Sequence, residues 1–147
     1  MKIIFQDPGH DNEEDSITII VNVKEMSDKI DRVLNALKSP DTLTVRSGKD
    51  KAIIPVDEIF YCESVERKIF VYDSKQVYET DLKLYELEEI LGNNLFMRIG
   101  QSTIVNLSKI RLVSPANNAR LMAVLDNDEK ILISRKYVAE LKKRFEI

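Results

Sequence analysis

Two residues of this sequence carry the side chains that most often act as a base or a nucleophile in enzymes. His10 is the only histidine and Cys62 the only cysteine among 147 residues. A histidine base needs an oriented partner, but His10 stands in an acidic loop without a nearby nucleophile motif, which favours a solvated loop residue. Cys62 lies in the strand-like run 60–63, where a free cysteine typically behaves as a small buried apolar side chain. No enzyme is therefore expected; a thiol-dependent enzyme built on Cys62 is an alternative that Cys62→Ser would test.

Motifs that bind phosphates or metals are also missing from the sequence. One cysteine permits no intramolecular disulfide and, alone, no zinc cluster. With only four glycines, neither a P-loop nor a dinucleotide-binding fingerprint can be written, so no cofactor is expected. The acidic cluster Asp11–Asp15 lacks the spacing of a calcium loop, and the cluster Glu86–Glu89 lies on a predicted helix face. Both are interpreted as solvated charge, and no metal site is predicted.

Charge is distributed unevenly along the chain, although the net charge is only −3. Residues 1–41 carry nine acids and five bases, residues 42–97 eleven and seven, and residues 98–147 five and ten. Nucleic-acid affinity comes mainly from clustered lysine and arginine, so the basic last third could bind a polyanion while the rest stays acidic. An ordinary solvated surface would give the same distribution, so charge alone does not decide between the two.

Composition is that of a globular chain, with 44% hydrophobic and 32% charged residues. No window approaches the roughly 18 consecutive apolar residues of a membrane span. The start of the chain lacks a basic segment followed by a long apolar one, so no secretory signal is visible and a cytoplasmic location is expected.

The elements that must position any site fall into two parts. In the first, alternating apolar residues predict a strand over 16–23 that pairs with residues 2–5, and an i, i+4, i+7 pattern predicts an amphipathic helix over 26–37. The sequence Ser39-Pro40-Asp41 then marks a boundary. We therefore predict a small β-β-α extension over residues 1–40 and a second domain over residues 41–147.

The second domain is predicted to be mainly β. Short strand patterns are separated by turns rich in Gly, Asn and Asp, which indicates antiparallel hairpins. The predicted strands are 42–46, 52–55, 59–64, 69–73, 76–80, 110–114, 119–125 and 130–133. Two helices interrupt them: one with Leu84, Leu87 and Leu91 on its apolar face, ending at Gly92, and one with Ser134 as N-cap and Tyr137, Val138, Leu141 and Phe145 on its apolar face.

Four stretches in order carry a family resemblance. From Ile53 the chain runs IIPVDEIFYCES, then LKLYELEEIL, then FMRIGQSTIVNLSKI, and finally KILISRKYVAEL. This order and spacing resembles the LytTR DNA-binding domain of LytR/AlgR-type transcriptional regulators, over about residues 42–147. The segments 96–110 and 131–141 carry most of the resemblance. It implies an elongated arrangement of small antiparallel β-sheets with short helices, whose loops enter successive major grooves of double-stranded DNA without a recognition helix.

Three places here match the functional loops of that family and are the candidate DNA-binding sites. In the turn 65–68, Arg67 and Lys68 would position phosphates, and Lys68 would also reach a base edge. In the segment 100–102, Gln101 can pair with adenine N6 and N7, and Ser102 can donate to a phosphate oxygen. Arg135 begins the last helix, where a phosphate or a guanine would be bound. For each residue the alternative is an ordinary solvated surface side chain.

One departure from the family pattern affects affinity. The motif commonly has His-Arg where this chain has Gly100-Gln101, so a cationic contact is replaced and a flexible glycine stands beside it. The loss should reduce the salt dependence by about one counterion, and Lys109 and Arg111 could compensate. Asn106 matches a motif asparagine that we interpret as structural.

The resemblance implies a transcriptional regulator that binds promoter DNA, and a protein-interaction module on the same fold is the alternative. Many such regulators place a phosphorylatable receiver domain before the DNA-binding part, which 41 residues cannot hold. A stand-alone form is therefore expected, controlled by expression level or by a partner such as a membrane protein. Because linked modules gain effective concentration on repeated sites, a homodimer is also expected. RNA binding is less favoured, since no paired aromatic motif of an RNA-recognition sheet is present.

Overall fold

The computed structural model describes residues 2–6, 18–22 and 41–147. The chain divides into two compact units, Met1–Lys38 and Ser39–Ile147. In the first unit, β1 (Lys2–Gln6) pairs with β2 (Thr18–Asn22) in antiparallel register, with Lys2 opposite Asn22 and Gln6 opposite Thr18. This is the strand pairing that the alternating pattern predicts. His10, the acidic cluster 11–15 and the helix predicted over 26–37 lie outside the described residues.

The second unit contains ten strands and two α-helices within residues 41–147. In chain order they are β3 (Thr42–Ser47), β4 (Asp50–Pro55), β5 (Tyr61–Val65), β6 (Lys68–Tyr72), β7 (Val77–Thr80), α1 (Leu84–Leu91), β8 (Phe96–Arg98), β9 (Thr103–Asn106), β10 (Ile110–Ala116), β11 (Arg120–Leu125), β12 (Lys130–Ile133) and α2 (Arg135–Phe145). Seven strands form one antiparallel sheet in the order β4-β3-β7-β6-β5-β9-β8, and three form a second in the order β10-β11-β12.

Two apolar cores pack around the larger sheet. One contains α1, whose Leu84, Leu87 and Leu91 are all buried, as its spacing predicts. The other contains the inward face of the smaller sheet and Leu141 of α2. The successive residues Ile104 and Val105 of β9 enter different cores and both have no exposed surface. The neighbouring strands β8 and β9 are therefore buried on both faces, whereas β3, β6 and β7 alternate buried and more exposed residues.

The ends of both helices follow from local chemistry. Gly92 ends α1 with a φ of +70°, a left-handed conformation that glycine adopts without the steric cost of a Cβ. Ser134 stands at the N-cap position of α2 with extended backbone, as predicted, but its side chain accepts no capping hydrogen bond. The apolar face predicted for α2 is partly wrong: Leu141 is fully buried, but Phe145 is 36% exposed because it lies in the last turn, at the edge of the core.

Candidate nucleic-acid interface

The first candidate place is the hairpin turn that joins β5 to β6. Val65 and Lys68 are paired, which leaves Glu66 and Arg67 as a two-residue connection, and residues 65–68 are all exposed. Glu66 and Arg67 have φ values of 50° and 66°, the positive values that a type I′ hairpin turn requires at both central positions. Side chains with a Cβ tolerate this conformation poorly, at about 1–2 kcal/mol per residue. The turn therefore exposes Arg67 on strained backbone, with the exposed Lys68 beside it.

The second place is the loop 99–102 between β8 and β9. Ile99 and Gly100 are buried, Gln101 is exposed and Ser102 is partly buried. A Cβ added to Gly100 would lie 3.3 Å from the Ser134 hydroxyl oxygen. The expectation of a flexible glycine is thus wrong: Gly100 is packed against the start of α2, and its missing side chain permits that close approach.

The third place is the first turn of α2. Arg135 and Lys136 are both exposed there, and the turn contains no acidic residue. The N-terminus of a helix carries partial positive charge, so two cations at this end are unfavourable for the helix itself. The Lys136 ammonium lies 5.5 Å from the ring centroid of Tyr137. Lys136 was not among the residues predicted from the sequence, although its position beside Arg135 could have indicated it.

Backbone hydrogen bonds join the three places. The Ser64 amide, which precedes the hairpin turn, donates to the Ser102 carbonyl at 2.8 Å. The Ser134 amide donates to the Ile99 carbonyl, also at 2.8 Å. The loop 99–102 therefore connects the hairpin turn on one side with the start of α2 on the other. These hydrogen bonds place turn 65–68, loop 99–102 and residues 134–136 next to one another, and we call the three segments together the three-loop surface.

The arginines of the second unit differ in whether they are held by the protein. Within residues 41–147, five of the seven arginines make an ion pair or a side-chain hydrogen bond, and Arg67 and Arg135 make neither. The five that are held are Arg46, Arg98, Arg111, Arg120 and Arg144. The two without a partner among residues 41–147 are those that the sequence motifs predict as DNA contacts. Their guanidinium groups are available to a phosphate or a base edge.

The cations expected to compensate for the Gly100-Gln101 departure are engaged elsewhere. The Lys109 ammonium lies 5.3 Å from the Phe60 ring centroid, within the range of a cation–π interaction. Arg111 pairs with Asp128 at 2.6 Å. Both side chains would have to give up these contacts to reach DNA, so this compensation is not supported.

Asn106 is structural, as the sequence interpretation held. It is fully buried at the end of β9. Its amide nitrogen donates to the Ile59 carbonyl at 2.8 Å, and its amide oxygen accepts from the Ser108 amide at 3.0 Å and the Ser108 hydroxyl at 2.7 Å. These bonds fix the end of β9 against the segment that leads into β5.

Cys62 does not have the surroundings of a reactive thiol. It has no exposed surface, and burial raises the pKa of the thiol to about 12. The thiolate is the nucleophilic form, so this environment suppresses reactivity and does not support the thiol-dependent enzyme. The described residues contain no group of three or more His, Cys, Asp and Glu side chains placed to hold a metal ion. No helix in the described ranges has the length and apolar character needed to cross a membrane.

Comparison with known proteins now decides the family. The family model for the LytTr DNA-binding domain matches residues 50–146. The chain belongs to this family. A sensory transduction protein LytT of Enterococcus faecalis is 32% identical over 136 residues, which are 90% of this chain and 56% of the relative. The transcriptional regulatory protein YpdB of Escherichia coli K12 is 33% identical over 102 residues, covering 67% of this chain and 42% of the relative.

The chain thus spans about half the length of those two regulators. An uncharacterized HTH-type transcriptional regulator of Staphylococcus aureus is 29% identical over 139 residues, covering 92% of this chain and 93% of the relative. Among solved structures, the LytTr DNA-binding domain of a response regulator from Bacillus cereus superposes with a TM-score of 0.69 at 22% identity, covering 73% of this chain and 98% of that one. This similarity confirms the mainly β LytTR fold predicted from the motifs.

Proposed function

We propose that this chain regulates transcription by binding double-stranded promoter DNA through the three-loop surface. The observation that carries the proposal is the placement of Arg67 and Arg135, the two arginines that have no ion pair or side-chain hydrogen bond within residues 41–147. Both lie on elements that one loop joins by hydrogen bonds. Family membership supports the same conclusion, because the matched domain is a DNA-binding domain.

Each part of the three-loop surface has a separate task in this proposal. Arg67 and Lys68 at the hairpin tip neutralise phosphates and set the orientation of the domain on the duplex. Gln101, exposed on its loop, pairs with an adenine edge in the major groove, and the adjacent Ser102 hydroxyl donates to a phosphate oxygen. Arg135 binds a guanine or a phosphate at the start of α2. Because Gln101 is neutral, the loop supplies sequence preference without adding to the electrostatic attraction.

The test is a selection of bound sequences from a random duplex pool, followed by titrations of the selected duplex at several salt concentrations. If Arg67, Lys68 and Arg135 each neutralise one phosphate, the logarithm of affinity falls against the logarithm of salt with a slope of roughly −3 per domain. Arg46→Gln is a matched control, since Arg46 is paired with Glu79 and Asp81. No enrichment of any sequence, with no binding at low salt, would refute the proposal and favour a protein-interaction module.

We further propose that the regulator acts as a cytoplasmic homodimer assembled through residues 1–40, and that a membrane protein controls it. The support is the apolar stripe in the sequence of residues 26–37, in a segment too small to form a core of its own. Sedimentation of the full chain at micromolar concentration should give a dimer, and residues 41–147 alone should give a monomer that retains weaker duplex binding. A full-length monomer would remove the dimer from the proposal.

A further inference from the structure

Arg98, at the end of β8, makes the most extensive side-chain contacts of any arginine in residues 41–147. Its Nε donates to the Gly100 carbonyl at 2.9 Å, and its Nη2 donates to the Gln101 carbonyl. Its Nη1 pairs with the Glu88 carboxylate of α1 at 3.0 Å. One planar guanidinium therefore binds two successive carbonyls of the loop 99–102 and fastens them to a helix.

The two carbonyls belong to the residues that shape the middle of the three-loop surface. Gly100 is packed against Ser134, and Gln101 carries the side chain proposed to read a base. On either side, the Ile99 carbonyl accepts from the Ser134 amide and the Ser102 carbonyl accepts from the Ser64 amide. Arg98 thus holds the central part of a loop whose two ends are bonded to α2 and to β5.

We infer that Arg98 is a positioning residue that fixes loop 99–102, and through it the hairpin turn and the start of α2, in the arrangement that reads DNA. The inference rests on the proposed function, since the arrangement matters only if this surface binds a duplex. It assigns no DNA contact to Arg98 itself. Each of the three guanidinium nitrogens already donates a hydrogen bond within the protein, and the side chain is only 23% exposed.

The geometry requires an arginine at this position. Two neighbouring carbonyls and a carboxylate each accept from a different nitrogen of the group, and the guanidinium offers donors in a fixed fork that serves all three. A lysine would keep the charge, but its single ammonium group could donate to only some of these three acceptors. Glu88 fixes the orientation of the guanidinium, because its carboxylate accepts from Nη1, the nitrogen that does not donate to the loop. Glu88→Gln should therefore loosen the loop less than a change of Arg98.

The experiment compares four variants of the full chain: Arg98→Lys, Arg98→Met, Glu88→Gln and, as a matched control, Arg46→Met. Arg46 also forms ion pairs but lies on β3, near the opposite edge of the larger sheet from β8. Affinity is measured for the selected duplex and for a random duplex over a range of salt. Amide hydrogen exchange at Ser64 and Ser134 reports on the loop without DNA.

Both Arg98 variants should bind the selected duplex about tenfold more weakly. Without the Arg98 hydrogen bonds, loop 99–102 no longer keeps Gln101 in the position needed to contact a base. The salt slope and the affinity for random duplex should stay close to those of the parent. The Ser64 and Ser134 amides should exchange faster, with a smaller change in Glu88→Gln and none in Arg46→Met. A salt slope reduced by about one, with equal loss on both duplexes, would make Arg98 a phosphate contact and overturn the inference.

Unchanged affinity for the selected duplex in a folded Arg98→Lys protein would also overturn it. Should Arg98→Met fail to fold, Arg98→Lys and Glu88→Gln still decide the outcome. If the parent chain binds no duplex, the proposed function fails and the DNA-reading role of Arg98 fails with it. Faster exchange at Ser64 and Ser134 in that case would show that Arg98 fixes the loop, which separates the two failures.

Discussion

Replacing Arg135 with alanine should move stability and DNA affinity in opposite directions. Arg135 is the first residue of α2, is exposed, and has no ion-pair partner within residues 41–147. The variant therefore loses no ion pair and no side-chain hydrogen bond within residues 41–147. A cation in the first turn opposes the partial positive charge of the helix end, which costs about 0.3–1 kcal/mol at low ionic strength. Arg135→Ala should raise the free energy of unfolding by that amount, as measured by urea denaturation.

The same variant should bind the selected duplex more weakly. A bidentate contact with guanine would be worth about 1–3 kcal/mol, which is roughly a 5- to 150-fold loss of affinity, and preference would relax at one base pair. A phosphate contact would instead weaken binding to all sequences alike and reduce the salt slope by about one. Fluorescence anisotropy over a salt series, with the selected duplex and a random one, separates the two roles.

Lys142→Ala provides the control at the other end of the same helix. Lys142 is exposed in the last turn, where a cation is favourable, so its removal should lower stability by about 0.3–1 kcal/mol and leave DNA affinity unchanged. If folded Arg135→Ala binds the selected duplex as tightly as the parent, the role assigned to Arg135 is wrong. The hairpin turn with Arg67 and Lys68 would then be the next place to look.

Three further predictions concern stability and thiol chemistry. Asn106→Ala should lower the free energy of unfolding by about 2–4 kcal/mol, because it leaves the Ile59 carbonyl and the Ser108 amide without their buried partner; a loss below 1 kcal/mol in urea would contradict the structural role. Glu66→Gly should raise stability by about 1 kcal/mol by relieving the left-handed backbone, and a destabilised variant would show that the strain is absent. The Cys62 thiol should not react with a disulfide reagent at pH 8 until the protein unfolds, because burial raises its pKa to about 12, and rapid native-state labelling would contradict this. Since that pKa lies above the usual value of 9.0, the linked stability should be complete below about pH 9 and be lost as pH rises towards 12.

The strands at the surface of the fold could be predicted because one face of each strand is exposed to solvent. The strand predicted over 130–133 has the observed bounds, and that predicted over 42–46 differs from Thr42–Ser47 by one residue. β8 and β9 were not predicted. The run Phe96-Met97 and the run Ile104-Val105 are buried on both sides of the sheet, so they show no alternation that would identify a strand.

The candidate site was predicted from motifs. The contacts that hold its central loop in place were not predicted. Short motifs predict Gln101 and Arg135 as contacts because both occupy motif positions of the family, although the residue at position 101 departs from the common pattern. The role of Arg98 depends on Glu88, ten residues away, and on carbonyls that face it only after the loop folds. The single available signal was an arginine within the otherwise apolar run 96–99. Gly100 was predicted to be flexible for a similar reason, because Ser134, against which it packs, is distant in sequence.

The three-loop surface combines features that each work against stability. The hairpin turn places Glu66 and Arg67 in left-handed backbone, and α2 begins with two cations where an acid would be favourable. Features that oppose folding need an explanation when they lie on adjacent loops. The proposed binding of DNA would supply it, because phosphates would neutralise the cations at the helix start and would contact the side chain that the strained turn presents. The expected consequence is that the duplex stabilises this part of the chain more than any single substitution in it does.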